Sequence, residues 1–299
     1  MKAGFIGTGS MGLPLAMNIL DQEKSLVVFD INEAAVAPLA AKQARVVASP
    51  AEVANEAEIV FACMPSLGSF EAIVSGPDGV MQGRQMSLFV NLGTMGTEAT
   101  IHAETLLAGK GVEMLDSPIT GGVKRASDGD ITVITSGPQA VYDKAEPFLR
   151  SFAREIHYVG DKVGQAQLTK VCNNIMSFSN LIAGVEALIM AAKGGVDPEK
   201  VLAVINAGSG QNSATLTKIP NYILNRRFKE MQAPMHITEK DAMLWRMEAE
   251  RLQVPQNVGS AAYQTLQQGI AMGLRPADWS EIVKVVERAA DFELPKTRD

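Results

Sequence analysis

The first half of the chain alternates short apolar runs with stretches of helical period. KAGFI (2–6), LVVFD (26–30), EIVFACM (58–64), SLFVNL (87–92), VEMLDS (112–117), ITVITS (131–136) and REIHYV (154–159) read as strands. Several are continuously apolar rather than alternating, the pattern of strands covered on both faces. A helix is predicted near 10–21, and the strand–helix alternation predicts an α/β domain with a doubly wound, mostly parallel sheet. After Gly164 the period changes. Leu168, Val171, Ile175, Phe178, Ile182, Val185 and Ile189 recur at spacings of three and four, which predicts one long helix running to about Lys193, where Gly194 and Gly195 stop it. At 1.5 Å per residue it spans roughly 40 Å, enough to link two domains. Beyond it the pattern is helical throughout: 198–207, 213–226, about 237–252, 256–271 and 278–290. The expected organisation is an α/β domain over 1–162 and an all-α domain over 163–299, joined by the long helix.

Composition narrows the function. Hydrophobic residues make up 46% and charged residues 20% of 299, an ordinary globular balance. The net charge of −6 gives no electrostatic footprint for nucleic acid, and RRFK (226–229) reads as a solvated helix end. Two cysteines without a C-x-x-C spacing point to a reducing, cytoplasmic setting. Three scattered histidines, His102, His157 and His236, lack metal-ligand spacing; the first two fall in segments read as packed helix and strand. Gly4, Gly7, Thr8, Gly9 and Ser10 break up the apolar N-terminus, and no uninterrupted apolar run of membrane-spanning length follows.

The chemistry concentrates in a few places. FIGTGSMG places Gly7, Gly9 and Gly12 in G-x-G-x-x-G spacing between a predicted strand and a predicted helix, the context a dinucleotide-binding turn requires. Gly7 makes the tight turn, Gly9 admits the pyrophosphate, Gly12 permits close helix–strand packing, and the helix N-terminus faces the phosphates. Asp30 ends the second strand, 18 residues beyond Gly12. A carboxylate there accepts hydrogen bonds from ribose hydroxyls and repels a 2′-phosphate, so NAD is favoured over NADP; Asp30 as a helix cap is compatible with that role. Lys170, with Asn174 four residues on, is the best acid/base candidate, because a lysine in a dry cleft trades protons near neutrality. The alternative is a lysine on a solvated face. The expected placement is a ligand cleft on the side of the helix opposite its apolar stripe. DSPITGG (116–122) offers the Thr120 hydroxyl and the N–H groups of Gly121 and Gly122 to a carboxylate, or is simply a turn.

Four motifs in order, GFIGTGSMGLPLA, DSPITGGVKRASDGDITVI, GQAQLTKVCNN and EKDAMLW (239–245), resemble those of the β-hydroxyacid dehydrogenase family over essentially the whole chain. The resemblance implies a Rossmann domain followed by an all-helical domain, and an NAD-dependent oxidoreductase interconverting a small 3-hydroxy acid and its semialdehyde or keto acid. It implies Lys170 as catalytic acid/base and Asn174 as positioning group. It implies Thr120, Gly121 and Gly122 on the substrate carboxylate. Met11, Met64, Pro65 and Thr94 would line the cofactor, and Lys240 would close over the nicotinamide and substrate region. Family members are commonly homodimers or homotetramers. The departures are Ala166 where a glycine is usual, Asn91 where an acid is frequent, and the charges of Lys124 and Arg125 beside the glycine pair. Competing readings are an NADPH-dependent aldehyde or semialdehyde reductase and a dinucleotide-binding regulatory protein without turnover. Imine reductases share the architecture but generally lack the lysine.

Overall fold

The computed structural model describes residues 1–296. The strands are β1 (Ala3–Ile6), β2 (Val27–Phe29), β3 (Arg45–Val46), β4 (Ile59–Ala62), β5 (Leu88–Asn91), β6 (Glu113–Asp116), β7 (Ile119–Thr120), β8 (Ile131–Ser136) and β9 (Ala153–Gly160). Between them run α1 (Gly12–Glu23), α2 (Glu33–Ala41), α3 (Pro50–Glu56), α4 (Leu67–Ser75), α5 (Thr97–Ala108), α6 (Gly122–Ser127) and α7 (Gln139–Leu149). They form one sheet in the order β3-β2-β1-β4-β5-β6-β8-β7, with β9 paired to β8. β3 through β6 are parallel, β8 runs antiparallel to β6, and β9 is parallel to β8.

This strand order reverses between β1 and β4, the point at which open α/β sheets bind ligands beyond the strands' carboxyl ends. β1, β4 and β5 are buried at every position because helices cover both faces. Their apolar runs made them visible in the sequence. β3 and β7 were not foreseen: each has two residues, and β3 is an exposed edge pair, Arg45 and Val46, with no apolar run to reveal it.

The chain divides into two compact units, Met1–Val171 and Cys172–Asp299. The helix α8 (Gln165–Lys193) runs through the division. By length and composition α8 could cross a membrane. Its second half instead fills the core of the helical unit, where Phe178, Leu181, Ile182, Val185, Leu188 and Ile189 pack with Trp279, Ile282 and Leu266.

The helical unit continues with α9 (Pro198–Ala207), a π-helix (Ala214–Ile223), α10 (Met235–Arg251), α11 (Asn257–Ala271) and α12 (Val283–Ala290). The π-helix occupies the predicted 213–226 segment. The Leu224 N–H reaches back five residues to the Ile219 carbonyl, and the Asn225 amide donates to the Pro220 carbonyl. The predicted 278–290 helix opens as a 3₁₀ turn, Trp279–Ile282, which Asp278 caps by accepting from the Ser280 N–H.

Candidate active site

The glycine loop leaves β1 at the sheet's switch point. Gly7 has φ +89°, and a Cβ there would stand 2.7 Å from the Cys63 carbonyl oxygen. A Cβ on Gly12 would stand 1.8 Å from the Gly7 oxygen, so α1 packs against the loop only because both residues are glycine. A Cβ on Gly9 would meet nothing within 4 Å. Gly7 and Gly12 are thus dictated by the protein's own packing, whereas Gly9 opens onto space. The N-terminus of α1 beside it, at Met11, has no side-chain cap. Open space over bare N–H groups fits a pyrophosphate.

Asp30 follows β2 and does more than the sequence suggested. One carboxylate oxygen accepts from the Thr8 N–H at 2.7 Å and the other from the Asn32 N–H at 2.8 Å. It ties the glycine loop to the end of β2 while remaining half-buried. Asn32, not Asp30, caps α2. Met64 and Pro65 follow β4, with the Met64 methyl directly against Gly7. Thr94 follows β5 and is half-buried.

Thr120 ends β7, and Gly121 (φ +144°) and Gly122 (φ +82°) turn the chain into α6. Both glycines are exposed, and a Cβ on Gly122 would meet nothing within 4 Å. The neighbouring charges are not left bare: Lys124 pairs with Asp128 at 2.8 Å and Arg125 with Asp130 at 2.9 Å.

Lys170 stands in the first turns of α8. It is only 8% exposed, so it is a buried group rather than a solvated one. By helical period it flanks the apolar stripe instead of lying opposite it, being one position before Val171. Asn174 is half-buried and Asn173 exposed. What anchors this stretch is a polar node invisible in the sequence. Gln167, fully buried, accepts from the Met95 and Gly96 N–H groups at 2.8 and 3.0 Å. Its amide donates to the Gly93 oxygen at 3.0 Å and to Asp116 at 2.7 Å, and its own N–H donates to the other Asp116 oxygen at 3.1 Å.

Asn91 completes the node. It donates to Asp116 at 3.4 Å and exchanges bonds with the Gly93 backbone. An acid at this position would face Asp116 inside a dry core, so asparagine suits the site. Burial pushes the Asp116 carboxyl up to about 7, against the pull of the Gln167 and Asn91 donors. Ala166, the other departure, is fully buried and donates its N–H to Ser136 at 2.9 Å.

In the helical unit, the Asn174 amide donates to Asp241 at 2.7 Å, and Lys240 lies 3.2 Å from the other Asp241 oxygen. Asp241 was not singled out from the sequence, although it belongs to the EKDAMLW motif. His102 and His157 lie on the expected helix and strand, but both side chains are exposed and not packed, and His236 is exposed too.

Residues 2–160 match a family model described as the NAD binding domain of 6-phosphogluconate dehydrogenase. Residues 164–286 match one described as the NAD-binding of NADP-dependent 3-hydroxyisobutyrate dehydrogenase. The chain belongs to the β-hydroxyacid dehydrogenase family. Among its relatives, 2-(hydroxymethyl)glutarate dehydrogenase of Eubacterium barkeri is 32% identical, covering 96% of this chain and 95% of that protein. The mitochondrial 3-hydroxyisobutyrate dehydrogenase of Homo sapiens is 26% identical over 97% and 88% of the two chains. The solved 3-hydroxyisobutyrate dehydrogenase of Mycobacterium tuberculosis superposes with a TM-score of 0.86 at 25% identity, covering 95% and 98%. Like its family, this protein is an NAD(P)-dependent oxidoreductase acting on CH–OH groups.

Proposed function

We propose that the protein is an NAD-dependent dehydrogenase of a small 3-hydroxy acid, with Lys170 as its proton-transfer group. The observation that carries this reading is a lysine buried in the first turns of α8 and locked there by the Gln167–Asp116 node. When bound, the nicotinamide cofactor supplies the hydride acceptor or donor. The chain's own residues do the rest. Gly7, Gly9, Met11 and Gly12 hold the pyrophosphate, and Asp30 takes the ribose hydroxyls. Asp30 already accepts two backbone N–H groups, which keeps its charge in place against a 2′-phosphate. Met64, Pro65 and Thr94 border the cofactor.

Lys170 accepts the hydroxyl proton during oxidation and returns it during reduction. Asn174 orients the reacting oxygen, its own amide fixed by Asp241. Thr120, Gly121 and Gly122 hold the carboxylate, and Lys240 is assigned to the substrate and cofactor from the EKDAMLW motif. The Eubacterium barkeri relative is named for 2-(hydroxymethyl)glutarate, and other relatives for 3-hydroxyisobutyrate. Both are acids with a hydroxymethyl group on the carbon next to a carboxylate, and that unit is the proposed substrate core.

The experiment is a screen of purified protein against 3-hydroxy acids, with NAD and NADP compared side by side. Turnover of at least one acid is expected, with higher kcat/KM for NAD. No turnover of any 3-hydroxy acid or semialdehyde overturns the substrate reading. A tenfold preference for NADP, about 1.4 kcal/mol, overturns the role of Asp30.

A further inference from the structure

The helical unit holds a half-buried lysine that the proposed reaction does not use. Lys218 sits in the π-helix and turns its ammonium inward. Nζ donates to the Ser177 hydroxyl at 2.6 Å and lies 5.5 Å from the centre of the Trp279 ring. Trp279 is itself buried and packs at a tilt against Phe178, with ring centroids 5.1 Å apart. Among the described residues no carboxylate pairs with Lys218. This is unusual placement for a lysine. A stem that only fills space lets its ammonium reach water, and a withdrawn ammonium is normally paired. Burial alone draws this group down to about 8, with no neighbouring acid to hold it up.

The Ser177 hydroxyl accepts from Lys218, and its own proton has no acceptor among the described residues. The pair therefore presents ammonium N–H donors and one O–H donor to a common ligand, with an aromatic wall beside them. That donor set suits a carboxylate. Ser177 is three residues from Asn174 and seven from Lys170 on the same helix. At 100° per residue, positions separated by three, four and seven fall on one face. An anion held at Ser177 thus lies in line with the group proposed to orient the reacting oxygen.

We infer that Lys218 and Ser177 bind a second carboxylate of the substrate, which makes the preferred substrate a dicarboxylic 3-hydroxy acid. This rests on the 3-hydroxy acid reading above and assigns the far end of the same substrate. Lys218 and Ser177 take the carboxylate distal to the reacting carbon.

The test compares 2-(hydroxymethyl)glutarate with 3-hydroxyisobutyrate, which share the reacting unit and differ in the distal carboxylate. The readout is the ratio of their kcat/KM values in the parent protein and in Lys218→Met, Lys218→Arg and Ser177→Ala. The parent is expected to favour the diacid by tenfold or more. Lys218→Met is expected to remove that preference, Lys218→Arg to keep most of it, and Ser177→Ala to reduce it several-fold. An unchanged ratio in folded Lys218→Met, or a parent that prefers the monoacid, overturns the inference.

Binding of glutarate and of its monomethyl ester, measured by calorimetry on NAD-loaded protein, decides the matter without turnover. Tighter binding of the diacid to the parent supports the site even if Lys218→Met does not fold, and equal binding of diacid and ester removes it. If no hydroxy acid is turned over but glutarate still binds through Lys218, the anion site stands and the reaction assigned to it is withdrawn.

Discussion

The long helix α8 behaves as two different objects. From Phe178 to Lys193 its buried residues are all apolar or glycine: Phe178, Leu181, Ile182, Gly184, Val185, Leu188 and Ile189. From Gln165 to Ser177 the same helix buries Gln167 and Lys170 beside Ala166 and Val171. One half needs only a matching apolar surface. The other needs polar partners, and α8 obtains them from β6 and from the turn after β5, at Asp116, Gly93, Met95 and Gly96. The lesson concerns purpose. A helix built only to hold a core has no use for a buried glutamine and lysine, whose desolvation must be offset bond by bond. A helix that must hold a proton-transfer group at a fixed position gains from that rigidity.

The sharpest way to separate the halves is to cut each once. Leu181→Ala, in the apolar half, removes a fully buried side chain and is expected to cost about 2–5 kcal/mol of stability. Its kcat on the accepted substrate should stay near that of the parent. Urea denaturation and steady-state kinetics on one preparation check both. A large fall in kcat with stability intact would mean that the apolar half also shapes the chemistry.

Lys170→Met, in the polar half, is expected to reverse that profile. It should lower kcat by about 10² or more, about 2.7 kcal/mol in the barrier. Its stability loss should be smaller than that of Leu181→Ala, because methionine refills the volume of the lysine stem. Methionine is the better probe than alanine, since Lys170 is buried and alanine would add a cavity to the measurement. Lys170→Arg should not restore activity, because guanidinium stays protonated. NAD affinity, read by fluorescence titration, should change little. Parent-like turnover by Lys170→Met would end the acid/base assignment.

The same contrast explains what the sequence disclosed. The apolar half was legible because burial and residue type agree: Phe178, Ile182, Val185 and Ile189 recur at helical spacing and all are buried. The sheet was legible where β1, β4 and β5 are continuously apolar, and illegible at Arg45–Val46, where an edge pair carries no pattern. At the candidate site, the glycines were readable because their roles are local in sequence. Gly7 and Gly12 collide with nearby backbone if given a Cβ. Lys170 could be named but not placed, since spacing alone left both a ligand cleft and a solvated face open. Gln167 and Asp116 were not singled out, and Asn91 only as a departure from the family pattern, because their partners are 51 and 25 residues apart. Lys218 gave none either: a lysine in a helical segment reads as surface until its neighbours are known.

Gln167 is the test of whether the polar half is held as a unit. Gln167→Ala orphans the Met95 and Gly96 N–H groups and one Asp116 contact, and is expected to cost about 1–3 kcal/mol of stability. Because the node also fixes the turn that carries Thr94, NAD affinity should fall along with kcat, unlike in Lys170→Met. Gln167→Glu keeps the acceptor toward residues 95 and 96 but sets a carboxyl against Asp116, so it should recover cofactor affinity less than it recovers volume. A Gln167→Ala protein with parental stability and parental NAD affinity would show that the bonds are dispensable.

The smallest expected effect is a pH dependence of the node. Asp116 titrates at about 7 in the folded protein, because burial raises it, and near its ordinary value of 3.8 once unfolded. A folded-state pKa above the unfolded one means that the folded protein binds the extra proton. The associated stability is fully present below about pH 3.9 and is lost as the pH rises through 7. Between pH 6 and 8 that loss amounts to about 1.4 kcal/mol. Asp116→Asn should erase this slope while lowering stability throughout, because an amide offers only one acceptor where Gln167 and Asn91 present three donors. The three histidines are exposed and common to both proteins, so whatever they contribute cancels in the difference between parent and variant. Urea midpoints at pH 6, 7 and 8 decide it: a parent curve that falls while Asp116→Asn stays level places the proton on Asp116. Parallel curves would mean that the carboxylate stays ionised in the core, held by the Gln167 and Asn91 donors against the cost of burial.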